Sequence, residues 1–296
     1  MIIRNTEFDV ANKTYVMGIL NVTPDSFSDG GKLKDASAAV KKALEMEKEG
    51  ATIIDVGGES TRPSFTPVDV DAEIERVIPV IKKIREESDV VISVDTTKEQ
   101  IALEAVKAGA DIINDVSFEP YFYENEDNMV IRSRGSVSRA AIKTGAFYCL
   151  MHNAPVDYEL AKLVNDSKLP VSENLRKEWI SDFISSLRKG IDNLENEGMD
   201  RGKIILDPGI CFSKQTNENV LATMSLKQLN ALGLPVLYAA SKKSFIGNIL
   251  KLPVDDRMEG TLALTAYACM NGAAFVRVHD VKENIRIINM IEALKA

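Results

Sequence analysis

The chain has 296 residues, of which 45% are hydrophobic and 27% are charged, a composition typical of a soluble globular protein. Its formal net charge of -8 argues against nucleic acids and anionic membranes as partners, because both bind basic surfaces. An N-terminal segment too polar for a signal peptide, three cysteines without zinc-binding spacing and no apolar run of the ~20 residues that span a membrane predict a reduced, cytoplasmic protein.

Eight short segments rich in β-branched and apolar residues recur along the chain and predict β-strands. Their apolar runs are nearly continuous, which is typical of strands buried on both faces of a parallel sheet. In chain order the predicted strands are Tyr15–Leu20, Thr52–Val56, Val90–Val94, Asp111–Ile113, Ala146–Met151, Ile204–Leu206, Pro235–Tyr238 and Ala274–Val278.

Helical patterns separate these strands. Alternation of strand and helix implies a parallel sheet with right-handed crossovers, and eight units favour closure into a barrel. The predicted fold class is therefore α/β, a (β/α)8 TIM barrel that forms a single domain over residues 1–296. The predicted helices are Asp35–Glu49, Asp71–Glu87, Lys98–Ala108, Ser136–Lys143, Ser172–Glu197, Asn217–Leu232, Arg257–Met270 and Val281–Leu294.

Two segments stand apart from the repeating pattern. Residues 1–14 are expected to form a small cap under the barrel. Residues 117–135, SFEPYFYENEDNMVIRSRG, are polar, aromatic and charged, and long for a barrel loop. This atypical insertion could be a lid, a partner surface or a partly disordered segment, but a tolerated surface insertion is the favoured interpretation.

Polar or charged residues follow every predicted strand, at the end where barrel enzymes carry their sites. Each residue taken alone could instead cap a helix or shape a turn. A polar rim on all eight strands is harder to explain by packing, because buried charge is costly unless it is paired or functional. The rim residues are Asn21, Asp55, Arg62, Asp95, Asn114, Asp115, His152, Asn153, Asp207, Ser241, Lys242, Lys243, Ser244, Arg277 and His279.

The residue types on this rim have complementary chemistry. Asp95, Asn114 and Asp207 suit a ligand edge with ring N–H and NH2 donors, because their oxygens accept hydrogen bonds. Asn21 offers an oxygen ligand for Mg2+, which binds few protein groups and substrate phosphates. A phosphate or pyrophosphate suits the cationic members, Arg62, Arg277 and His279. No covalent nucleophile is predicted, because neither Ser241 nor Ser244 has an evident histidine partner in the sequence.

Eight segments together resemble the dihydropteroate synthase family of the folate pathway. They occur in order from the first strand to the eighth and cover nearly the whole chain. The segments are MGILNVTPDSFSDGG at 17–31, IIDVGGESTRP at 53–63, SVDTTK at 93–98, DIINDVS at 111–117, LMHN at 150–153, ILDPGICFSK at 205–214, SKKSFIG at 241–247 and RVHDV at 277–281.

The resemblance implies a Mg2+-dependent transferase that joins a dihydropterin carrying a CH2–pyrophosphate group to p-aminobenzoate, with release of pyrophosphate. It implies a pterin pocket of Asp95, Asn114, Met151, Asp207, Lys243 and Arg277. It implies a pyrophosphate and Mg2+ site of Asn21, Thr61, Arg62, Arg277 and His279, with Asn21 as the metal ligand. It implies a p-aminobenzoate pocket of Phe27, Thr61, Pro63, Phe212 and Ser244. The residues expected to act in catalysis are Asp95, Lys243, Arg277 and His279.

The resemblance also implies sulfonamide inhibition and a homodimer formed by the late helices. The family usually has glycine where this chain has Ser64, Cys211, Ser213 and Ala239, and arginine where it has Lys242. Two alternatives remain open: a catalytically weak or inactive pterin-binding paralogue, and a pterin-dependent methyltransferase domain. The intact site residues argue against the first, and the TPDSFSDGG and RVHDV segments would have no use in the second.

Overall fold

The computed structural model describes residues 1–22, 32–59, 68–117, 136–154 and 156–295. The strands in these ranges are β1 (Ile2–Ile3), β2 (Thr6–Glu7), β3 (Tyr15–Asn21), β4 (Ile53–Gly57), β5 (Val91–Asp95), β6 (Ile112–Asp115), β7 (Phe147–Met151), β8 (Ile204–Asp207), β9 (Leu237–Tyr238) and β10 (Phe275–Val278). Eight of them are parallel and pair in the order β8-β7-β6-β5-β4-β3-β10-β9, and a bridge between Leu206 and Val236 joins the two ends. This closed ring confirms the predicted (β/α)8 barrel.

Helices follow the barrel strands, and most of them begin and end within a few residues of the predicted bounds. None of the helices in the described residues is long and apolar enough to cross a membrane. The helices are α1 (Lys32–Lys48), α2 (Val70–Glu87), α3 (Glu99–Ala108), α4 (Ser136–Thr144), α5 (Tyr158–Asp166), α6 (Glu173–Asn196), α7 (Thr216–Met224), α8 (Leu226–Asn230), α9 (Ser244–Leu250), α10 (Met258–Met270) and α11 (Val281–Lys295).

The prediction of one helix over 217–232 is wrong, because the chain leaves helical geometry at Ser225. The buried Ser225 hydroxyl donates to the carbonyl of Ala222 at 2.7 Å, a local bond with which serine competes against the helical pattern. The sequence also gave no sign of α5 and α9, which have 9 and 7 residues. Helices of two turns are too short for a clear apolar stripe.

The barrel interior is apolar at the N-terminal end of its strands. Residues 1–14 include the antiparallel pair β1–β2. Ile3 of β1 and Phe8, which follows β2, pack against the apolar layer at this end. The Phe8 ring lies 4.9 Å from the Tyr15 ring and 5.6 Å from the Phe275 ring, both edge to face. The layer itself consists of Met17, Ile53, Val91, Ile112, Cys149, Ile205, Leu237, Ala274 and Phe275.

The next inward positions of several strands are polar. Successive side chains of a strand point to opposite faces, so a residue two positions after an inward apolar residue also points inward. Thus Asp55 lies above Ile53, Asn114 above Ile112, Asp207 above Ile205 and Arg277 above Phe275. The polar groups therefore form a layer directly on top of the apolar core, at the C-terminal ends of the strands.

Candidate active site

A largely buried arginine between two carboxylates forms the centre of this polar layer. Arg277 Nε donates to Asp55 Oδ2 at 2.6 Å, and one terminal nitrogen of its guanidinium donates to Asp95 Oδ2 at 2.7 Å. The Arg277 side chain is 14% exposed and Asp55 is completely buried. Burial disfavours the charge of Arg277, but Asp55 and Asp95 outweigh it and raise the arginine pKa. The guanidinium is therefore charged and fixed in orientation.

Asn114 is attached to the same carboxylate. Its amide nitrogen donates to Asp55 Oδ2 at 3.1 Å, and the residue is buried. Because the nitrogen is engaged, the amide oxygen is the atom of Asn114 that can accept a hydrogen bond from a ligand. The sequence predicts Asp55 only as a polar residue near the end of a strand, and the resemblance to the family does not include it in the pterin, pyrophosphate or p-aminobenzoate pocket. Its position near the C-terminal end of β4 is the one signal in the sequence, since its partners lie far away in the chain.

Two carboxyl groups on this rim have raised pKa values. Burial raises the pKa of Asp95 to about 7. The positive charge of Arg277 acts to lower this pKa, whereas the negative charge of Asp55 acts to raise it further. Burial also raises the pKa of Asp207 to about 6, although the Gly209 N–H donates to its Oδ1 at 2.7 Å. Met151 is buried on β7 in register with Asp207. A ligand with N–H donors would favour the ionised form of both carboxyls.

A second wall of the site combines a lysine with an aromatic ring. Lys243 Nζ lies 4.4 Å from the centroid of the Phe212 ring. Burial lowers the pKa of Lys243, as does the neighbouring charge of Arg277, while Asp207 and Asp95 oppose the shift. These charges place Lys243 in the same site as the carboxylates. Ser244 follows it at the start of α9, and its hydroxyl donates to Cys211 Sγ at 3.4 Å.

The sequence indicated no histidine partner for Ser241, but the structure places His279 next to it. Ser241 Oγ lies 3.0 Å from His279 Nδ1 and accepts the backbone N–H of His279 at 3.2 Å. The serine is buried and therefore orients the imidazole from the side of Nδ1. This arrangement suits a histidine that faces a ligand with its other nitrogen. It gives Ser241 a supporting role, in agreement with the absence of a predicted nucleophile.

The loop from Gly209 to Lys214 connects β8 to α7 and carries Phe212. Cys211 and Ser213 adopt left-handed backbone angles, with φ of 64° and 48°, which non-glycine residues adopt at a cost. Ser213 Oγ donates to Asn153 Oδ1 at 2.7 Å, so this loop is bonded to the end of β7. These are two of the positions where the family usually has glycine, and here both side chains make contacts that glycine could not make.

Several rim residues lie apart from the polar layer. His152 is completely buried and bonds to Ser186 of α6 at 3.1 Å, so it supports the barrel wall and is not part of the site. Burial lowers the pKa of His152 well below its usual range, and the charge of Lys214 acts in the same direction. Lys242 has a φ of 56°, and its Nζ forms a salt bridge with Asp280 Oδ2 at 2.9 Å. Ala239, just after β9, is buried.

Asn21 could supply a single oxygen ligand to a metal. It ends β3, in register with Gly57 of β4, and its Oδ1 would lie 3.8 Å from a β-carbon added to Gly57. The described residues contain no group of three His, Cys, Asp or Glu side chains that could enclose a metal. One amide oxygen fits Mg2+ held mainly by substrate phosphates and water, and does not fit a metal enclosed by protein ligands.

Four implied site residues lie outside the described residues: Phe27, Thr61, Arg62 and Pro63. The same holds for Ser64 and for residues 118–135 of the atypical insertion. The described residues thus bring together Asp55, Asp95, Asn114, Asp207, Lys243 and Arg277, with Met151, Phe212, Ser244, His279 and Asn21 on the strand ends and loops around them.

Comparison with known proteins finds similarity along nearly the whole chain. The family model described as pterin binding enzyme matches residues 17–279. A dihydropteroate synthase from Clostridium beijerinckii is 41% identical over 296 residues, which cover 99% of each chain. A dihydropteroate synthase structure from Clostridium difficile, in the presence of pteroic acid, has a TM-score of 0.81 at 39% identity, covering 97% of this chain and 99% of its own. A Xanthomonas albilineans dihydropteroate synthase with 4-aminobenzoic acid has a TM-score of 0.80 at 34% identity, covering 97% and 94%.

Proposed function

Because the chain belongs to the pterin binding enzyme family, we propose that it is a transferase that makes 7,8-dihydropteroate. The reaction joins (7,8-dihydropterin-6-yl)methyl diphosphate to p-aminobenzoate and releases diphosphate. The observation that carries this proposal is the largely buried guanidinium of Arg277 between Asp55 and Asp95. It lies in one polar layer with Asn114 and Asp207, where hydrogen-bond acceptors and a fixed cation stand side by side.

The acceptors of this layer fit the donor edge of a pterin ring. The carboxylates of Asp95 and Asp207 and the amide oxygen of Asn114 accept N–H and NH2 groups. Lys243 donates to ring oxygen or nitrogen, and the planar guanidinium of Arg277 stacks on the ring. A ring held in this way presents its methylene group to the outer part of the site, towards Phe212 and Ser244.

Bond breaking at that methylene group needs stabilisation of the departing diphosphate. The C–O bond breaks with its electron pair on the diphosphate oxygen, the arylamine nitrogen bonds to the carbon, and the resulting ammonium then gives up one proton to water. Arg277 and His279 stabilise the negative charge, and preorganised donors of this kind lower a barrier by about 3–4 kcal/mol. Asn21 would hold Mg2+, which when bound neutralises charge on the diphosphate. The arylamine is a weak nucleophile, so its positioning matters more than a strong base.

The p-aminobenzoate pocket is the outermost part of the proposed site. Phe212 and Ser244 contribute its described wall, next to Lys243. Phe27, Thr61 and Pro63 would complete it, and Thr61 and Arg62 would also contact the diphosphate. Sulfonamides are arylamines of similar shape, and we therefore expect them to compete for this pocket. Cys211 contacts Ser244 there, so its side chain affects the affinity for sulfonamides.

One assay tests the proposal against its alternatives. Purified protein is incubated with Mg2+, dihydropterin diphosphate and p-aminobenzoate, and dihydropteroate is quantified by chromatography, with a chelator control. No product above background would contradict the proposal. Pterin binding in a calorimeter without turnover would favour an inactive paralogue. Methyl transfer that depends on cobalamin would favour the methyltransferase alternative.

The same proposal includes a homodimer in the cytoplasm. Large apolar side chains are exposed on the outer faces of the late helices, namely Ile249, Leu250, Tyr267, Met270, Met290 and Leu294. The helix α10 packs against both α9 and α11, and exposed apolar side chains on neighbouring helices favour an interaction surface there. Three free thiols favour a reducing compartment. Sedimentation should give twice the chain mass for the wild type and a lighter species for Met270→Lys; a wild-type monomer would contradict the dimer.

A further inference from the structure

The Lys214 side-chain nitrogen lies at the centre of a cluster of hydrogen-bond acceptors, which favour its protonated form although burial lowers the pKa of Lys214 to about 7. Its Nζ lies 2.9 Å from the carbonyl oxygen of His152, 3.1 Å from that of Phe212 and 3.3 Å from that of Gly209. The Nδ1 atom of His152 is a fourth neighbour at 2.9 Å, and the Phe183 ring centroid lies at 5.6 Å. The side chain thus folds back onto its own loop and also reaches the end of β7.

This loop has an unusual backbone that a cation would stabilise. Gly209, Cys211 and Ser213, at alternate positions, have φ of 67°, 64° and 48°. The carbonyl groups of Gly209 and Phe212 point at the same place, together with that of His152. Their negative ends would repel one another if no donor lay between them, and an ammonium group supplies three donors and a positive charge.

We propose that Lys214 is a positioning residue for the arylamine substrate. Its ammonium holds the Gly209–Lys214 loop in shape, and the loop holds Phe212 and Cys211 against Lys243 and Ser244. The inference rests on the proposed function, because it assigns the loop to the p-aminobenzoate pocket.

The effect should be confined largely to that pocket. Asp207, the pterin-facing carboxylate, belongs to β8, which pairs with β7, so the barrel fixes its backbone without Lys214, and the Gly209 N–H at the start of the loop is the contact that joins its carboxylate to the loop. Other contacts of the loop also remain without the lysine, including Cys211 N–H to Asn219 Oδ1 at 2.6 Å and Ser213 Oγ to Asn153 Oδ1 at 2.7 Å. A variant at Lys214 is therefore expected to fold.

The first test compares Lys214→Met with the exposed control Lys227→Met. Loss of a charge-assisted bond network should raise the KM for p-aminobenzoate by about tenfold or more in Lys214→Met. The kcat and the dissociation constant of 6-hydroxymethyl-7,8-dihydropterin should stay within about threefold of the wild type, since both depend on the strand-borne residues. The control should match the wild type in all three.

Chemical rescue distinguishes the effect of the ammonium group from the effect of side-chain packing. In Lys214→Ala, methylammonium should lower the raised KM towards the wild-type value, whereas tetramethylammonium, which has no N–H donor, should not. A second variant, Lys214→Gln, retains N–H donors without the charge and should have an intermediate KM.

Three results would overturn the inference. They are an unchanged KM in Lys214→Met, equal loss of pterin binding, and loss of the folded barrel in Lys214→Met and Lys214→Gln alike. The last result would assign the ammonium to the fold as a whole. An inactive wild type would instead contradict the proposed function, so the two failures are distinguishable.

Discussion

Asp55 determines the orientation of two other site residues at once. One of its oxygens accepts from Arg277 Nε and from Asn114 Nδ2, while its other oxygen has no hydrogen-bond partner among the described residues. A completely buried carboxylate is costly unless a charge offsets it, and Arg277 supplies that charge. Asp55 thus supports the proposed pterin pocket by fixing which atoms of Arg277 and Asn114 are free to face a ligand.

We predict that Asp55→Asn weakens pterin binding strongly. An asparagine can place its oxygen where Oδ2 lies and still accept both bonds, but it removes the negative charge that pairs with Arg277, so the charge-assisted bond weakens, at a cost of about 1.5–3 kcal/mol. Calorimetry with 6-hydroxymethyl-7,8-dihydropterin should show a dissociation constant raised by about tenfold or more. Asp89→Asn is the matched control, since Asp89 also bonds to an arginine but is 77% exposed. Equal affinities in both variants would remove Asp55 from the site.

Pterin binding should also depend on pH through Asp95 and Asp207. Their pKa values are raised to about 7 and about 6, so both protonate in the free protein as the pH falls from 8 to 5. The N–H donors of the pterin need ionised carboxylates, and the ligand must therefore displace protons at low pH. Affinity should be highest near pH 8 and fall by up to about tenfold per pH unit for each protonated group. Calorimetry in buffers of different ionisation enthalpy should detect proton release, and a constant affinity from pH 5 to 8 would refute this dependence.

At the scale of elements, strands were easier to predict than loops and short helices. The apolar runs at Val91–Asp95 and Phe147–Met151 indicate buried strands, because burial on both faces leaves little choice of residue. The α9 helix, with 7 residues, has too few turns for a periodic signal. The proposed role of Lys214 could not be predicted either. Its contacts depend on the backbone angles of the Gly209–Lys214 loop, and the hydrophobic pattern of the sequence does not predict such angles.

The β8–α7 loop depends on a glycine at its start. A β-carbon at Gly209 would lie 1.9 Å from the carbonyl oxygen of His152, and its φ is 67°. Gly233 has a similar φ of 77°, but an added β-carbon there would meet nothing within 4 Å. The two positions therefore share the backbone conformation and differ in the space available.

We predict that Gly209→Ala is much more destabilising than Gly233→Ala. Both variants incur the left-handed cost of about 1–2 kcal/mol. In Gly209→Ala the loop must also move away from β7, which breaks the bonds of Lys214 to His152. Urea unfolding should therefore give a larger loss of stability for Gly209→Ala, accompanied by a raised KM for p-aminobenzoate. Equal losses in the two variants would show that the contact with His152 is unimportant.

At the scale of the whole molecule, the site is assembled from distant parts of the chain. Arg277 and Asp55 are 222 residues apart, and Arg277 and Asp95 are 182 apart. The alternation of strands and helices was enough to predict that strand ends meet at one rim. It could not tell which rim residues pair with each other, because pairing depends on barrel closure and strand register. The resemblance to a family implied the pockets but did not include Asp55. The observed contacts of Asp55 are with other site residues, Arg277 and Asn114.

The barrel separates stability from ligand binding along its axis. The N-terminal end of the interior is apolar and covered by the β1–β2 pair, whereas the polar layer lies at the other end. Residues at the N-terminal face of such barrels contribute to stability, and those at the C-terminal face to activity. A substitution under the barrel should therefore change one property without the other.

We predict that Phe8→Ala lowers the free energy of unfolding by about 3–5 kcal/mol while pterin affinity is retained. Phe8 is 1% exposed and packs against Tyr15 and Phe275, so its removal leaves a cavity at the base of the core. Ile2→Ala is the control, because Ile2 is 66% exposed and such changes stay within about 0.5 kcal/mol. Urea unfolding and pterin calorimetry on the same preparations test both parts. A parallel loss of affinity in folded Phe8→Ala would mean that the base of the barrel transmits strain to Arg277, two residues above Phe275.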